Sequence, residues 1–119
     1  MASTQRFALV DATALAAAST DGERLSLPTR ARTPIGYLVV KNANGATTVT
    51  AKIQHSPDGV LGWTDLISFT ATSAGAAANE VKVPTAGSLL PYVRAQVVLG
   101  GATKLADVLV ALYVENHAG

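Results

Sequence analysis

The stretch from residue 47 to residue 70, TTVTAKIQHSPDGVLGWTDLISFT, constrains the fold more than any other part of the chain. Polar and apolar residues alternate in its first part, which is the period of a half-buried β-strand with Val49, Ala51 and Ile53 facing inward. The tetrapeptide Ser-Pro-Asp-Gly that follows is typical of a type I turn in which Ser56 bonds the backbone. A second apolar strand follows the turn. The stretch therefore predicts an antiparallel β-hairpin.

Similar patterns recur along the chain, separated by turn signals about every 8 to 12 residues. The segment 12–19 also has helix propensity, but the run is short, and we favour a strand of small side chains. The segment 28–34, PTRARTP, is interpreted as a loop. Predicted strands outside the hairpin lie at 5–10, 12–19, 23–27, 36–41, 80–83, 90–99 and 104–115. The pattern predicts an all-β fold, an antiparallel β-sandwich of about eight strands that resembles a jelly roll.

The composition indicates that much of the protein surface is buried against other molecules. Residues 1–119 are long enough for one domain with a real core, 49% of the residues are hydrophobic and only 14% are charged. A low charge content favours a surface buried against copies of the same chain or within a larger assembly. The alternative is that Thr, Ser, Asn and Gly supply enough polar surface.

Charge and cysteine content limit the possible partners. The net charge is +1 and the basic residues are scattered, which argues against a nucleic-acid partner. The sequence contains no cysteine, which excludes disulfides and thiolate metal sites and fits a reducing cytoplasm. The apolar run near the N-terminus is interrupted by Asp11 and Thr13, so we interpret it as mature protein rather than a signal peptide. No stretch has the apolar length of a membrane span.

The residues that could support catalysis or metal binding form no recognisable constellation. His55 and His117 are too few for a metal site, and a structural role is favoured for His55. The sequence contains neither a Gly-x-Ser-x-Gly nucleophile elbow nor a glycine-rich phosphate loop. Facing carboxylates cannot be read from one sequence. The expectation is a protein that is not an enzyme and has no cofactor and no metal.

Aromatic residues suggest one alternative of a different class. Trp63 together with Tyr37 or Tyr92 would make a platform for stacking sugars, as in a carbohydrate-binding module. Only 5% of the chain is aromatic, so the favoured interpretation is that Trp63 packs over the hairpin.

Three motifs together resemble a known family. They are YLVV-x-N beginning at Tyr37, VTAKIQHSPDG-x-x-x-WTDL-x-x-F beginning at Val49, and LPYVRAQVVLGG beginning at Leu90. This order is similar to that of the small β-sandwich decoration, or cement, proteins of tailed bacteriophages. The resemblance covers residues 35 to 114, and residues before it match no pattern.

The resemblance implies a structural virion protein on the exterior of an HK97-type capsid, made in the host cytoplasm, whose partners are the major capsid protein and itself. Such proteins clamp neighbouring capsomers as dimers or trimers. The expected capsid or partner contacts are Arg6, Phe7, Arg30 and Arg32, with residues 1–20 as an N-terminal arm. A neck, tail or fibre-base component is the alternative within the structural class.

Overall fold

A computed structural model describes residues 2–15, 19–27, 31–43, 48–70, 78–84, 89–100 and 106–117. These residues form nine β-strands and contain no helix. The strands are β1 (Ala2–Leu15), β2 (Ser19–Asp21), β3 (Leu25–Ser26), β4 (Ala31–Ala43), β5 (Thr48–Ser56), β6 (Thr64–Ser68), β7 (Ala78–Lys82), β8 (Tyr92–Gly100) and β9 (Ala106–His117).

The strands form two antiparallel sheets packed face to face. Sheet I has the order β1-β9-β4-β7 and sheet II the order β2-β8-β5-β6, with β3 also paired to β8. Because β2 and β3 lie one after the other along β8, they occupy a single strand position. Eight positions in two four-stranded sheets, connected in this order, make a jelly roll. The predicted fold class is confirmed.

The core lies between the sheets and is built by strict alternation. Val49, Ala51 and Ile53 of β5 are at most 1% exposed, as the alternation of the hairpin predicted. On β9, the inward residues Val108, Val110, Leu112 and Val114 are also at most 1% exposed. This strand lies between β1 and β4. A last strand that is apolar on both faces is therefore central in its sheet, and its outward side chains line the outer face of sheet I.

Two β-bulges change which residues face inward. A register shift between Ala8 and Val10 lets Leu9 and Val10 both become buried. A second register shift, in the hairpin, lets Leu66 and Ile67 both become buried. A bulge places two residues opposite one, which breaks the simple alternation on which the sequence interpretation depends.

Strand bounds differ from the prediction in the first third of the chain. β1 continues to Leu15, so residues 12–15 belong to it rather than to a separate strand. β4 begins at Ala31, so the loop predicted over 28–34 is wrong for residues 31–34, where a bulge and a φ of 55° at Thr33 adjust the strand. Arg30 lies outside the described residues.

Candidate interaction surfaces

The loop from residue 57 to residue 63, which connects β5 to β6, presents two neighbouring apolar side chains to solvent. Val60 is 63% exposed and Leu61 is 72% exposed. Apolar side chains on a surface are common singly, but two large ones in sequence at the end of a sheet form a small contact site. We call Val60 and Leu61 the apolar tip.

Side-chain hydrogen bonds fix the backbone of the apolar tip. The Ser56 hydroxyl, which is fully buried, donates to the Leu61 carbonyl oxygen at 2.6 Å and accepts from the Gly59 N–H at 3.0 Å. The Asp58 carboxylate accepts from the N–H groups of Val60 and Leu61, both at 2.9 Å. These two bonds lower the pKa of Asp58, so the carboxylate stays ionised and the bonds persist at neutral pH. The backbone bond predicted for Ser56 is confirmed, within a connection longer than a simple turn.

The other side of the loop is braced from sheet II. Gly59 has a φ of 76°, and a Cβ there would lie 2.9 Å from the Tyr92 ring, so glycine is required on both grounds. Arg24 donates from Nη1 to the Gly59 carbonyl oxygen at 2.8 Å, and its guanidinium lies 5.9 Å from the centre of the Tyr92 ring. The apolar tip is therefore held in one conformation before any partner binds.

The outer face of sheet II near this loop is polar. Arg94 lies over the Trp63 ring at 4.4 Å and donates from Nε to Gln54 at 3.0 Å. Gln54 donates in turn to Asp65 at 3.1 Å, and Lys52 pairs with Asp65 at 3.3 Å. The guanidinium covers one face of the tryptophan ring. The polar side chains named here bond to one another across this surface.

The outer face of sheet I has the opposite character. The apolar face, as we call it, consists of outward side chains of β4 and β9: Ile35, Tyr37, Val39, Leu109, Ala111 and Tyr113. The rings of Tyr37 and Tyr113 pack with their centres 5.4 Å apart. On neighbouring β7, Val81 is 55% exposed and extends the apolar surface. Sheet II packs on the opposite side, and no other described element covers the apolar face.

The structure separates one member of the proposed sugar platform from the other two. Tyr37 lies on sheet I against Tyr113, whereas Trp63 and Tyr92 belong to the sheet II side of the molecule. The rings of Trp63 and Tyr92 each have an arginine over them. Tyr37 is therefore separated from Trp63 and Tyr92.

The residues predicted to contact the capsid or another partner do not form one surface. Arg6 is exposed on the outer side of β1, opposite Tyr113 of β9. Phe7 points the other way and packs against the core. Arg32 is exposed on β4, in register with Glu115 of β9. Arg30 lies outside the described residues. Of the described three, Arg6 and Arg32 lie on the surface of sheet I.

Sequence reasoning missed the apolar tip. The available signal was the tetrapeptide Gly-Val-Leu-Gly at 59–62, since two large apolar residues between glycines cannot both pack inside a short connection. A turn predicted from Ser-Pro-Asp-Gly does not by itself indicate where the next two side chains point.

The described residues include neither a candidate metal site nor a candidate membrane-spanning helix. Within them, no group of three or more His, Cys, Asp or Glu side chains has an arrangement that would hold a metal ion. The same residues contain no helix of the length and apolarity that a membrane span requires.

His55 is a buried titratable group on the inward side of β5. It is 8% exposed, and its Nδ1 accepts a hydrogen bond from the Leu90 N–H at 3.2 Å. Burial lowers its pKa from the usual 6.5, because desolvation penalises the charged imidazolium. A proton on Nδ1 would also remove the acceptor for Leu90. The structural role predicted for His55 agrees with this position.

We expect the free energy of unfolding to fall as the pH is lowered through 6.5, the ordinary pKa of histidine. Between the lowered folded pKa and 6.5 the unfolded chain binds more protons, so stability rises with pH there and is constant above it. Urea unfolding at a series of pH values measures this. His55→Asn keeps an acceptor for the Leu90 N–H but does not titrate. If the free energy of unfolding of this variant falls with pH as steeply as that of the natural protein, a group other than His55 causes the pH dependence.

The chain matches no protein-family model and no curated protein sequence. Its fold is similar to a part of the structure of infectious bursal disease virus strain Gx, with a TM-score of 0.65, 13% identity, and coverage of 99% of this chain and 33% of that chain. It is also similar to the PBSX exported protein XepA, with a TM-score of 0.63, 14% identity, and coverage of 97% and 38%.

A third solved structure, of Bacillus endospore appendages that form disulfide-linked pili, has a TM-score of 0.55, 14% identity, and coverage of 99% of this chain and 89% of that chain. This chain spans only about a third of the length of the first two structures. At such identities the similarity is one of fold, and it places the protein among β-sandwiches of the jelly-roll type.

Proposed function

We propose that the protein is a structural virion protein that binds the outer surface of an HK97-type phage capsid and stabilises it by joining neighbouring capsomers. The observation that supports this best is the apolar tip, a rigid and exposed contact site at one end of a sandwich. Burying Val60 and Leu61 against a partner removes apolar surface from water without a cost for ordering the loop, because hydrogen bonds already hold it.

Fold and composition agree with this role. The same fold occurs within infectious bursal disease virus, which makes a place in a virion plausible for a jelly roll of this kind. With 14% charged residues, the chain has little charge to desolvate when its surface is buried. Many copies with modest contacts each gain avidity on a repeating lattice. The pilus proteins of similar fold are disulfide-linked, a connection that a sequence without cysteine cannot make.

Replacing both residues of the apolar tip with serine is expected to remove most of the protein from virions. Losing the burial of Val60 and Leu61 costs about 3 kcal/mol, or roughly a hundredfold in affinity for one site. Val98→Ser is the matched control, because Val98 is 41% exposed on the outer face of sheet II. Occupancy is measured by quantitative mass spectrometry of purified particles, relative to the major capsid protein. Equal occupancy of the double variant and the control would contradict attachment through the tip.

The same measurement on the natural protein decides between the structural alternatives. A copy number comparable to that of the major capsid protein supports decoration of the lattice. A copy number that fits a single ring would instead assign the protein to the neck, tail or fibre base. Absence from purified particles would overturn the proposed function altogether.

A further inference from the structure

The apolar face of sheet I has an internal symmetry that the sequence does not reveal. The strand register aligns Ala8 of β1, Ala111 of β9 and Tyr37 of β4 in one row across the middle of the face. Ala8 is exposed in this row, so another surface can approach β1 closely there, whereas Ala111 is only 1% exposed. Rows with larger apolar residues flank it, one through Tyr113 and the other through Leu109.

Two opposite charges lie at equal distances from the middle row on β1. Arg6 is paired with Tyr113 in one flanking row, and Asp11 is paired with Leu109 in the other. Both side chains are exposed. Their separation of five positions would put them on opposite sides of a regular strand, but the bulge between Ala8 and Val10 restores them to the same side.

We propose that the apolar face is the interface with a second copy of this chain. A two-fold axis that lies in the interface along the middle row would place β1 over β1 and β9 over β9, in antiparallel directions. Arg6 then faces Asp11 of the partner subunit, and by symmetry Asp11 faces Arg6 of the partner subunit. The Tyr113 row meets the Leu109 row of the partner. An isologous interface requires this kind of self-complementarity, and the two Arg6–Asp11 pairs provide it, whereas the same axis places Asp107 and Glu115 opposite one another at the ends of the face.

The size of the face agrees with a weak dimer. At about 4.8 Å between strands and 3.3 Å per residue, four strands over the length of residues 107–115 cover roughly 500 Å². Two copies together bury about 1,000 Å², which is the lower limit for a specific interface. We therefore expect association in the micromolar range for the free protein and stronger pairing where a lattice holds copies close together. Such pairing extends the proposed structural role, but it does not depend on which partner the apolar tip binds.

A charge exchange tests the geometry directly, with analytical ultracentrifugation of the purified chain over a range of concentrations. Arg6→Asp and Asp11→Arg each place like charges opposite one another twice, and each is expected to weaken the dimer about tenfold. The double variant restores two opposite pairs and is expected to dimerise within about threefold of the natural protein. Both residues are exposed, so folding is not at risk. A chain that stays monomeric at all concentrations, or a double variant no better than the singles, would overturn the proposal.

A matched pair of lysine substitutions distinguishes the face from the open edge of β1, which also contains Arg6 and Asp11. Val39→Lys adds a charge to the apolar face, on β4 and away from that edge, whereas Val98→Lys adds the same charge to the outer face of sheet II. The proposal expects Val39→Lys to be monomeric and Val98→Lys to dimerise normally, with equal circular dichroism spectra. Normal dimerisation of Val39→Lys would indicate that the two copies pair through the open edges of β1. It would overturn the proposal that the apolar face is the interface. Since no virion is used, this result is independent of capsid attachment.

Discussion

Replacing Gly22 with alanine is expected to lower the free energy of unfolding by about 3 kcal/mol and the melting temperature by about 10 °C. Gly22 lies between β2 and β3 and donates its N–H to the Ala95 carbonyl oxygen at 2.8 Å. A Cβ there would overlap the Leu9 carbonyl oxygen and lie 3.1 Å from Val10. A backbone oxygen cannot rotate away, so the edge of sheet II would have to move from β1 of sheet I.

Gly100→Ala is the matched control for this prediction. Its Cβ would meet only the Thr48 hydroxyl, which is the end of a side chain that can rotate. Alanine also lowers the entropy of the unfolded chain, so this variant is expected to stay within about 1 kcal/mol of the natural protein. Thermal and urea unfolding measure both variants. Similar stabilities of the two would mean that the sheets can separate at Gly22 at little cost.

Leu112→Ala is expected to destabilise the protein by about 3 kcal/mol, because it leaves a cavity in a packed core. Leu112 is fully buried on the inward side of β9, opposite Phe7 of β1 and Gly36 of β4. The same substitution at Leu109, on the outward side of the same strand, is expected to cost about 1 kcal/mol. Chemical unfolding at low protein concentration measures folding without association. Equal losses at the two positions would contradict the assignment of inner and outer faces on β9.

The hairpin shows how far the sequence could be interpreted. Alternation of Val49, Ala51 and Ile53 predicted a half-buried strand, and the three side chains are buried. The reason is that a strand side chain points to one face or the other with a period of two, so a local pattern determines burial. Repetition of the pattern, with turns between, was enough to predict the antiparallel sandwich. Strand bounds were less certain, since β4 includes residues of a segment rich in turn formers.

Candidate surfaces were much harder to predict, because each joins residues that are distant in sequence. Arg24 braces Gly59 across 35 positions, and Arg94 of β8 covers Trp63 in the connection between β5 and β6. The resemblance to decoration proteins directed attention to the N-terminal residues and arginines, of which Phe7 packs against the core. The conformation that exposes Val60 and Leu61 is held by hydrogen bonds from Ser56 and Asp58 to the loop backbone.

By itself, the sequence determined that this chain forms β-strands, which side chains build the core where a strand alternates regularly, and that a sandwich of the jelly-roll type results. These features follow from local alternation and turn chemistry. Only the tertiary structure decided the strand order, the division between a polar and an apolar outer face, and the side of β1 on which Asp11 lies. Strand register and bulges set these features, and both depend on pairing with neighbours. A shift of one residue reverses the face of every side chain beyond it.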